Sequence, residues 1–282
     1  MIQKINYSIT KFCDVILYPF SFLGDFWEIL FLSILTSFVV LLAYKYFSSP
    51  AKIKRAKNQV KASIFAIRLY KDFWKVILGS FFKSLLYVMK YFALNFGVII
   101  IILPLLVPLF VQMDVRYGMR AFKAGEEIVI KAGFSQDPKS LEIELLESEH
   151  FKPKMNPVFI DAFKDEEKKK PLREVNWKVE AAAAGDTKIR IKVDGKIFEK
   201  SLLIGEHKGA LSNKKLRDSS ISHIEYPVEK VFPEAGELEF IYIQYPGRSV
   251  SFLGISMHWI LYYLLLTLII VLAFKKRFGI EF

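Results

Sequence analysis

Residues 92–112 read FALNFGVIIIILPLLVPLFVQ, a run without a charged side chain. Two further apolar segments occupy residues 27–47 and 255–274. An α-helix rises ~1.5 Å per residue, so about 20 residues cross the ~30 Å hydrocarbon core of a bilayer. The three segments therefore predict three membrane-spanning helices.

The segment between the first two apolar runs is strongly basic. Its Lys and Arg residues are Lys52, Lys54, Arg55, Lys57, Lys61, Arg68, Lys71, Lys75, Lys83 and Lys90. Asp72 is the only acidic residue from 51 to 90. Short loops rich in Lys and Arg stay on the cytoplasmic side of a membrane. We therefore expect the N-terminus outside and the C-terminus inside, and the basic Lys275–Arg277 run after the third segment agrees.

The composition combines 53% hydrophobic residues with 24% charged residues, which predicts a membrane anchor joined to a sizeable soluble part. A net charge of +11 would suggest a nucleic-acid partner in a soluble protein. Here much of the charge lies where anionic lipid headgroups would attract it, so we expect no nucleic-acid partner beyond the ribosome. The lone Cys13 excludes an intrachain disulfide. We find no catalytic constellation, and we predict a non-enzymatic protein without a metal or cofactor.

The N-terminal segment, residues 1–24, is predicted to be an amphipathic helix lying flat in the membrane interface. Its apolar positions recur at three- and four-residue steps, which is typical of a helix with one apolar face. These positions are Ile2, Ile5, Ile9, Phe12, Ile16 and Phe20. Pro19 and Gly24 then favour a bend into the first span. An alternative is one long tilted helix over residues 12–44.

The remaining membrane part divides into predicted segments of distinct character. They are transmembrane helix 1 at 25–48, a basic cytoplasmic helical hairpin at 49–91, transmembrane helix 2 at 92–113, transmembrane helix 3 at 253–275 and a cytoplasmic tail at 276–282. Gly79 and Ser80 are predicted to separate the two helices of the hairpin.

Residues 114–252 have soluble character and short runs of alternating polarity. These runs predict strands at Glu127–Lys131, Leu141–Leu146, Asn176–Ala182, Thr187–Val193, Ile197–Leu203 and Glu237–Gln244. Gly185-Asp186 and Asp194-Gly195 are predicted hairpin turns, and Lys164–Lys170 and Gly205–Ser220 are predicted loops. With Trp177 as a core residue, the pattern favours an extracytoplasmic all-β domain, an immunoglobulin-like sandwich.

Two sets of residues are candidate functional sites. Small polar residues in the predicted spans either let helices approach closely or form a hydrophilic groove inside the bilayer; they are Ser33, Thr36, Ser37 and Asn95. The second set is a predicted basic contact surface, made of Lys52, Lys54, Arg55, Lys57, Lys61 and Arg68.

The order of these elements resembles the core of the YidC/Oxa insertase superfamily over residues 10–113. The matching sequences are FLGDFWEILFLSILTSFVVLLAYKYFSSP at 22–50, RLYKDFWK at 68–75 and LPLLVPLFVQ at 103–112. Members commonly carry a groove arginine about four residues after the threonine, and this chain has Val40 there. That departure leaves the charged attraction for an acidic client to Lys45 or Arg68. The β domain is not part of the shared core.

The resemblance implies a protein that assists the insertion or folding of membrane proteins through a polar intramembrane groove. Its expected partners are nascent membrane proteins or the ribosome, and anionic lipid headgroups. The alternative is a non-enzymatic envelope-complex subunit whose β domain binds a protein partner outside. Either protein would lie in a bacterial inner membrane.

Overall fold

The computed structural model describes residues 2–20, 22–163, 171–207, 209–217, 224–232 and 236–280. The predicted loop at Lys164–Lys170 lies outside these residues, as do Lys208 and residues 218–220 of the predicted loop at Gly205–Ser220. The chain forms two compact units. The helical unit comprises Leu23–Val107 and Ile260–Phe282, and the β unit comprises Met1–Phe22 and Pro108–Trp259.

Five α-helices lie in the described residues, and two of them are long and apolar enough to cross a membrane. The helices are α1 (Ile2–Leu17), α2 (Asp25–Phe47), α3 (Pro50–Leu69), α4 (Trp74–Met113) and α5 (Trp259–Phe274). The two long apolar helices are α2 and α4, and α5 is a shorter apolar helix. The separate α1 and α2 rule out the alternative of one helix over residues 12–44.

The hairpin is divided at a different place from the one that the sequence predicted. α3 ends at Leu69, and α4 then runs without interruption from Trp74 through Gly79 and Ser80. The predicted break at Gly79-Ser80 is therefore wrong. A glycine inside a helix costs only about 1 kcal/mol, which many neighbouring helical residues offset. The two helices are instead separated at residues 70–73, where the aromatic residues and Asp72 are poor helix formers.

Within the helical unit, α2 and α5 pack side by side and run in the same direction. Phe26 contacts Tyr262 near the start of both helices, with ring centroids 5.4 Å apart. Further along both helices, Phe38 in the middle of α2 contacts Phe274 at the end of α5, with ring centroids 5.8 Å apart. A separate apolar cluster joins α2 and α5 to α4, through Leu41, Tyr44, Val98, Ile102, Val271 and Ile280.

The β unit contains two antiparallel sheets and a separate hairpin. The strands are β1 (Glu127–Phe134), β2 (Ile143–Leu145), β3 (Phe151–Pro153), β4 (Val158–Phe163), β5 (Pro171–Ala181), β6 (Gly185–Val193), β7 (Lys196–Ile204), β8 (Lys214–Leu216), β9 (Leu238–Ile243), β10 (Val250–Phe252) and β11 (Ile255–Met257). The larger sheet has the order β3-β5-β1-β9-β8, and β4 also pairs with β5. The smaller sheet is β2-β6-β7, and β10 pairs with β11.

Both sheets contribute side chains to one hydrophobic core. Ile130 and Trp177 from the larger sheet belong to the same buried cluster as Ile191 and Phe198 from the smaller one. Trp177 is 5% exposed. The β-rich region therefore buries one face of each sheet, which is why polar and apolar residues alternate along the strands.

All six predicted strands are present, with shifted ends. The turn at Asp194-Gly195 is confirmed, because Val193 pairs with Lys196 across it. The predicted turn at Gly185-Asp186 is wrong, because both residues belong to β6 and pair with Ile204 and Leu203 of β7. β3, β4, β8, β10 and β11 were not predicted. They are short or carry mixed residues, and β8 lies inside the predicted loop at Gly205–Ser220.

We expect Trp177→Ala to lower the free energy of unfolding of the β unit by about 3–5 kcal/mol, because it leaves a cavity between the two sheets. Pulse proteolysis of the full chain over a urea series measures this loss. Val158→Ala is the matched control, since Val158 is 51% exposed on β4 and its truncation should change little. Equal effects of the two substitutions would contradict the core position of Trp177.

Candidate functional site

The three candidate polar residues of α2 lie on one buried face of that helix. Ser33 and Ser37 have no exposed surface, and Thr36 is 5% exposed. The Thr36 hydroxyl donates to the Leu32 carbonyl at 2.8 Å, and the Ser37 hydroxyl donates to the Ser33 carbonyl at 2.6 Å. Such bonds to the preceding turn allow a hydroxyl to lie in apolar surroundings.

This polar face of α2 packs against α5. The Ser37 hydroxyl also lies 3.4 Å from the Thr267 carbonyl oxygen, and the Tyr263 side chain lies beside Thr36 and Thr267. The Ser33 hydroxyl is buried, and it finds no hydrogen-bond partner among the described residues. A buried hydroxyl without a partner carries a desolvation cost. The contact between α2 and α5 therefore includes polar groups that are only partly hydrogen-bonded.

Asn95 is not joined to the polar face of α2 by any hydrogen bond in the described residues. Its side-chain amide donates to the Tyr91 carbonyl of its own helix at 2.8 Å. The groove therefore stays a prediction: in this structure the α2 hydroxyls are buried in a helix contact, and the Asn95 amide bonds to its own backbone.

The six residues of the predicted basic contact surface all lie on α3. Pro50 occupies the first turn, where its missing N–H is tolerated. α3 buries Ile53, Ala56 and Ser63, while every member of the basic surface except the half-buried Lys57 is exposed. Lys54 and Arg55 also line a shallow open depression of about 540 Å³ with Asn58 and Gln59. The surface can attract anions electrostatically.

A second surface lies on α4. The sequence predicts an amphipathic helix from Phe81 to Lys90 but did not identify its apolar face as a candidate site. We call it the apolar stripe of α4: Leu78, Phe82, Leu85, Met89, Phe92 and Phe96, which are 48–62% exposed. The steps between these residues alternate between four and three, so the side chains share one face of the helix. Lys83 and Lys90 are exposed beside this face. The same spacing was available in the sequence, but the assumed break at Gly79-Ser80 obscured it.

A π-helical turn, Asp114–Gly118, follows α4 and connects several parts of the β unit. We call it the junction turn. The Arg116 guanidinium is 5% exposed. It donates to the Asp14 carboxylate of α1 at 2.6 Å and to the Gln112 carbonyl at 2.9 Å. Because a buried guanidinium needs such partners, this network fixes α1 against the end of α4.

The β unit also holds an ion pair between a fully buried lysine and a largely buried glutamate. Lys200 on β7 has no exposed side-chain surface, and its Nζ donates to the Glu229 carboxylate at 2.7 Å and to the Ser212 hydroxyl at 3.0 Å. Burial lowers the pKa of Lys200, and Glu229 offsets part of that shift. Burial alone would raise the pKa of Glu229, but Lys200 and the hydroxyl of Ser201 hold it below its ordinary value. The cluster ties the segment after β7 to the sheet.

The described residues contain no group of three or more His, Cys, Asp or Glu side chains that could hold a metal ion. Comparison with known proteins adds no relative: no family model, no curated protein and no solved structure matches this chain. The resemblance to the YidC/Oxa superfamily therefore rests on the sequence features alone, and its consequences are proposals.

We expect Glu229→Gln to destabilise the β unit by about 3–5 kcal/mol at pH 7, because it leaves the Lys200 ammonium buried without its charged partner. Hydrogen-exchange mass spectrometry on β6–β7 peptides measures the change. Glu199→Gln is the matched control, since it removes the exposed ion pair to Lys188 and should cost about 0–1 kcal/mol.

The pH dependence gives a second readout of the same pair. Because the pKa of Glu229 is lowered in the folded protein, its contribution is fully present above the unfolded pKa of about 4.3. The contribution is lost as the pH falls through the folded pKa. Glu229→Gln should remove this acid-dependent loss of stability. An unchanged dependence of stability on pH in the variant would contradict a stabilising role of the Lys200–Glu229 pair.

Proposed function

We propose that the chain is a membrane protein with three spans, N-terminus outside and C-terminus inside. In this proposal α5 is the third span, although it is shorter than α2 and α4. The parallel packing of α2 and α5 supports the topology, because two parallel neighbours enter the membrane from the same side. The lysine-rich 49–91 segment would then be cytoplasmic. The β unit would lie outside as an immunoglobulin-like sandwich, which its shared two-sheet core supports.

We further propose that the protein assists the insertion or folding of membrane proteins in a bacterial inner membrane. The observation that carries this proposal is the apolar stripe of α4. At ~1.5 Å per residue, the helix from Trp74 to Met113 is about 60 Å long, roughly twice the hydrocarbon thickness. If the span begins near Phe92, the stripe from Leu78 to Met89 lies outside the hydrocarbon and continues into it.

An exposed apolar surface outside the membrane is unfavourable in water unless something covers it. A hydrophobic segment of a client protein fits this surface, since it could leave the stripe directly for the lipid-facing part of α4. The neighbouring lysines and the basic surface of α3 would attract acidic residues near such a segment, the ribosome or anionic lipid headgroups. In this mechanism the stripe shields the client before insertion, which lowers the cost of holding it in water.

The second candidate is an envelope-complex subunit whose β unit binds a protein partner. The buried α2–α5 contact favours it, because closely packed polar faces are typical of a helix pair that serves as an anchor. In this alternative the spans assemble the complex, and the exposed apolar side chains at Met155, Val158 and Phe159 offer a contact surface outside.

We expect photocrosslinkers at Phe82 and Met89 to capture newly made membrane segments during synthesis in the presence of the reconstituted protein. Ser84 and Tyr87 are the matched control positions, because they lie on the same turns of α4 but are half-buried away from the stripe. The measurement is the yield of crosslinked client at each position. Equal yields on both faces, or crosslinks only within the chain, would contradict the insertase proposal and favour the anchor.

A further inference from the structure

The β10–β11 hairpin has an unusual residue at its tip. Phe252 pairs with Ile255, so Leu253 and Gly254 form a two-residue turn. Both turn residues have positive φ, +49° at Leu253 and +81° at Gly254. The Leu253 side chain is 85% exposed, the highest value among the exposed large apolar side chains in the described residues.

The same β unit contains a turn of the same backbone shape with an ordinary sequence. Asp194 and Gly195 join β6 to β7 with φ of +44° and +80°. Asp-Gly is a favoured pair for this turn, because Asp, Asn and Gly tolerate positive φ. Leucine is strained there. The backbone of the turn therefore does not explain why residue 253 is a large apolar residue.

The position of the hairpin in the chain suggests what contacts its tip. Only His258 separates β11 from α5. The Trp259 indole N–H donates to the Asp114 carboxylate of the junction turn at 3.3 Å, and the Arg248 N–H donates to the Gly118 carbonyl at 3.0 Å. The residues on either side of the hairpin are therefore both bonded to the junction turn. Trp259 itself is 2% exposed and packs in the protein, so it fixes the start of α5, and a span formed by α5 would begin directly after the hairpin.

We infer that the β10–β11 hairpin inserts Leu253 into the lipid interface of the outer leaflet. Lipid would remove from water both Leu253 and the 58% exposed Ile255, and this burial offsets the strain at positive φ. The occupant is lipid because the tip is apolar and the chain enters an apolar helix, α5, one residue after the hairpin. The inference rests on α5 as a span and is independent of insertase activity.

The direct test places an environment-sensitive NBD label on a single cysteine at position 253, in a Cys13→Ala full-length chain reconstituted into phosphatidylcholine nanodiscs. Phosphatidylcholine with a doxyl group near the headgroup should quench this label at least several-fold more than the same label at position 194. The two positions share a backbone conformation and differ in location. Equal quenching, or a shielded label that doxyl lipid does not reach, would overturn the inference.

A second variant tests whether Leu253 contacts lipid, because hydrogen exchange in the hairpin should change in opposite directions with and without that contact. Leu253→Asn suits the turn better than leucine, so without lipid contact it should leave exchange of the hairpin amides unchanged or slower. If Leu253 is inserted, the variant should make those amides exchange several-fold faster in nanodiscs. Asp194→Asn is the control for the turn itself and should have no such effect. Loss of client crosslinking at Phe82 with normal quenching at position 253 would reject the insertase proposal alone.

Discussion

The length of α4 is the constraint on which the functional account depends. A membrane can hide only about 20 residues of a helix from water, and α4 has 40. If α4 crosses a membrane, as proposed, one half of the helix remains outside the hydrocarbon. Five of the six residues of the apolar stripe lie in the N-terminal half of α4. If the C-terminal half is the span, these Phe, Leu and Met side chains face an environment in which their exposure is unfavourable. In the proposed insertase function, a transient apolar partner resolves this conflict and leaves the surface available between clients.

Polar contacts have different roles in the two units. In the helical unit, Ser33, Thr36 and Ser37 bring α2 and α5 together, which reduces the polar surface left for a groove. In the β unit, the Arg116 network fixes α1 beside the end of α4, and the Lys200–Glu229 pair ties down the segment after β7. The Arg116 and Lys200 side chains are buried. Removing the partner of either leaves a buried charge uncompensated, which is strongly destabilising. Such contacts favour the native packing of these segments, because any other packing would leave a buried charge without its partner.

The sequence predicted the coarse organisation because that organisation follows from periodicity and apolar content. Long apolar runs identified α2 and α4, and alternation identified the strands that contribute most to the two-sheet core. Prediction from the sequence failed where the local preference of the residues conflicts with their tertiary packing. Gly79-Ser80 has weak helix propensity, yet a long helix continues through it. β8 is a three-residue strand that pairs with β9 far along the chain, and no local pattern reveals such a pairing.

The candidate sites show the same limit. The charge of α3 is a property of composition, so its exposed basic surface could be predicted. The fate of Ser33 and Thr36 depends on which face of α5 they meet, and only tertiary packing decides that. Leu253 reads as an ordinary apolar residue until its positive φ and exposure are known. Asp194-Gly195, in contrast, has a sequence that identifies its turn directly.

The most direct test of the account is the side of the membrane on which the α3–α4 segment and the β unit lie. Single cysteines at Lys54 on α3 and at Lys188 on β6, both exposed, would be labelled in a Cys13→Ala chain with a membrane-impermeant maleimide in right-side-out membrane vesicles. The account predicts labelling at position 188 in sealed vesicles, and at position 54 only after the membrane is permeabilised. Labelling of both positions in sealed vesicles, or the reverse pattern, would contradict it.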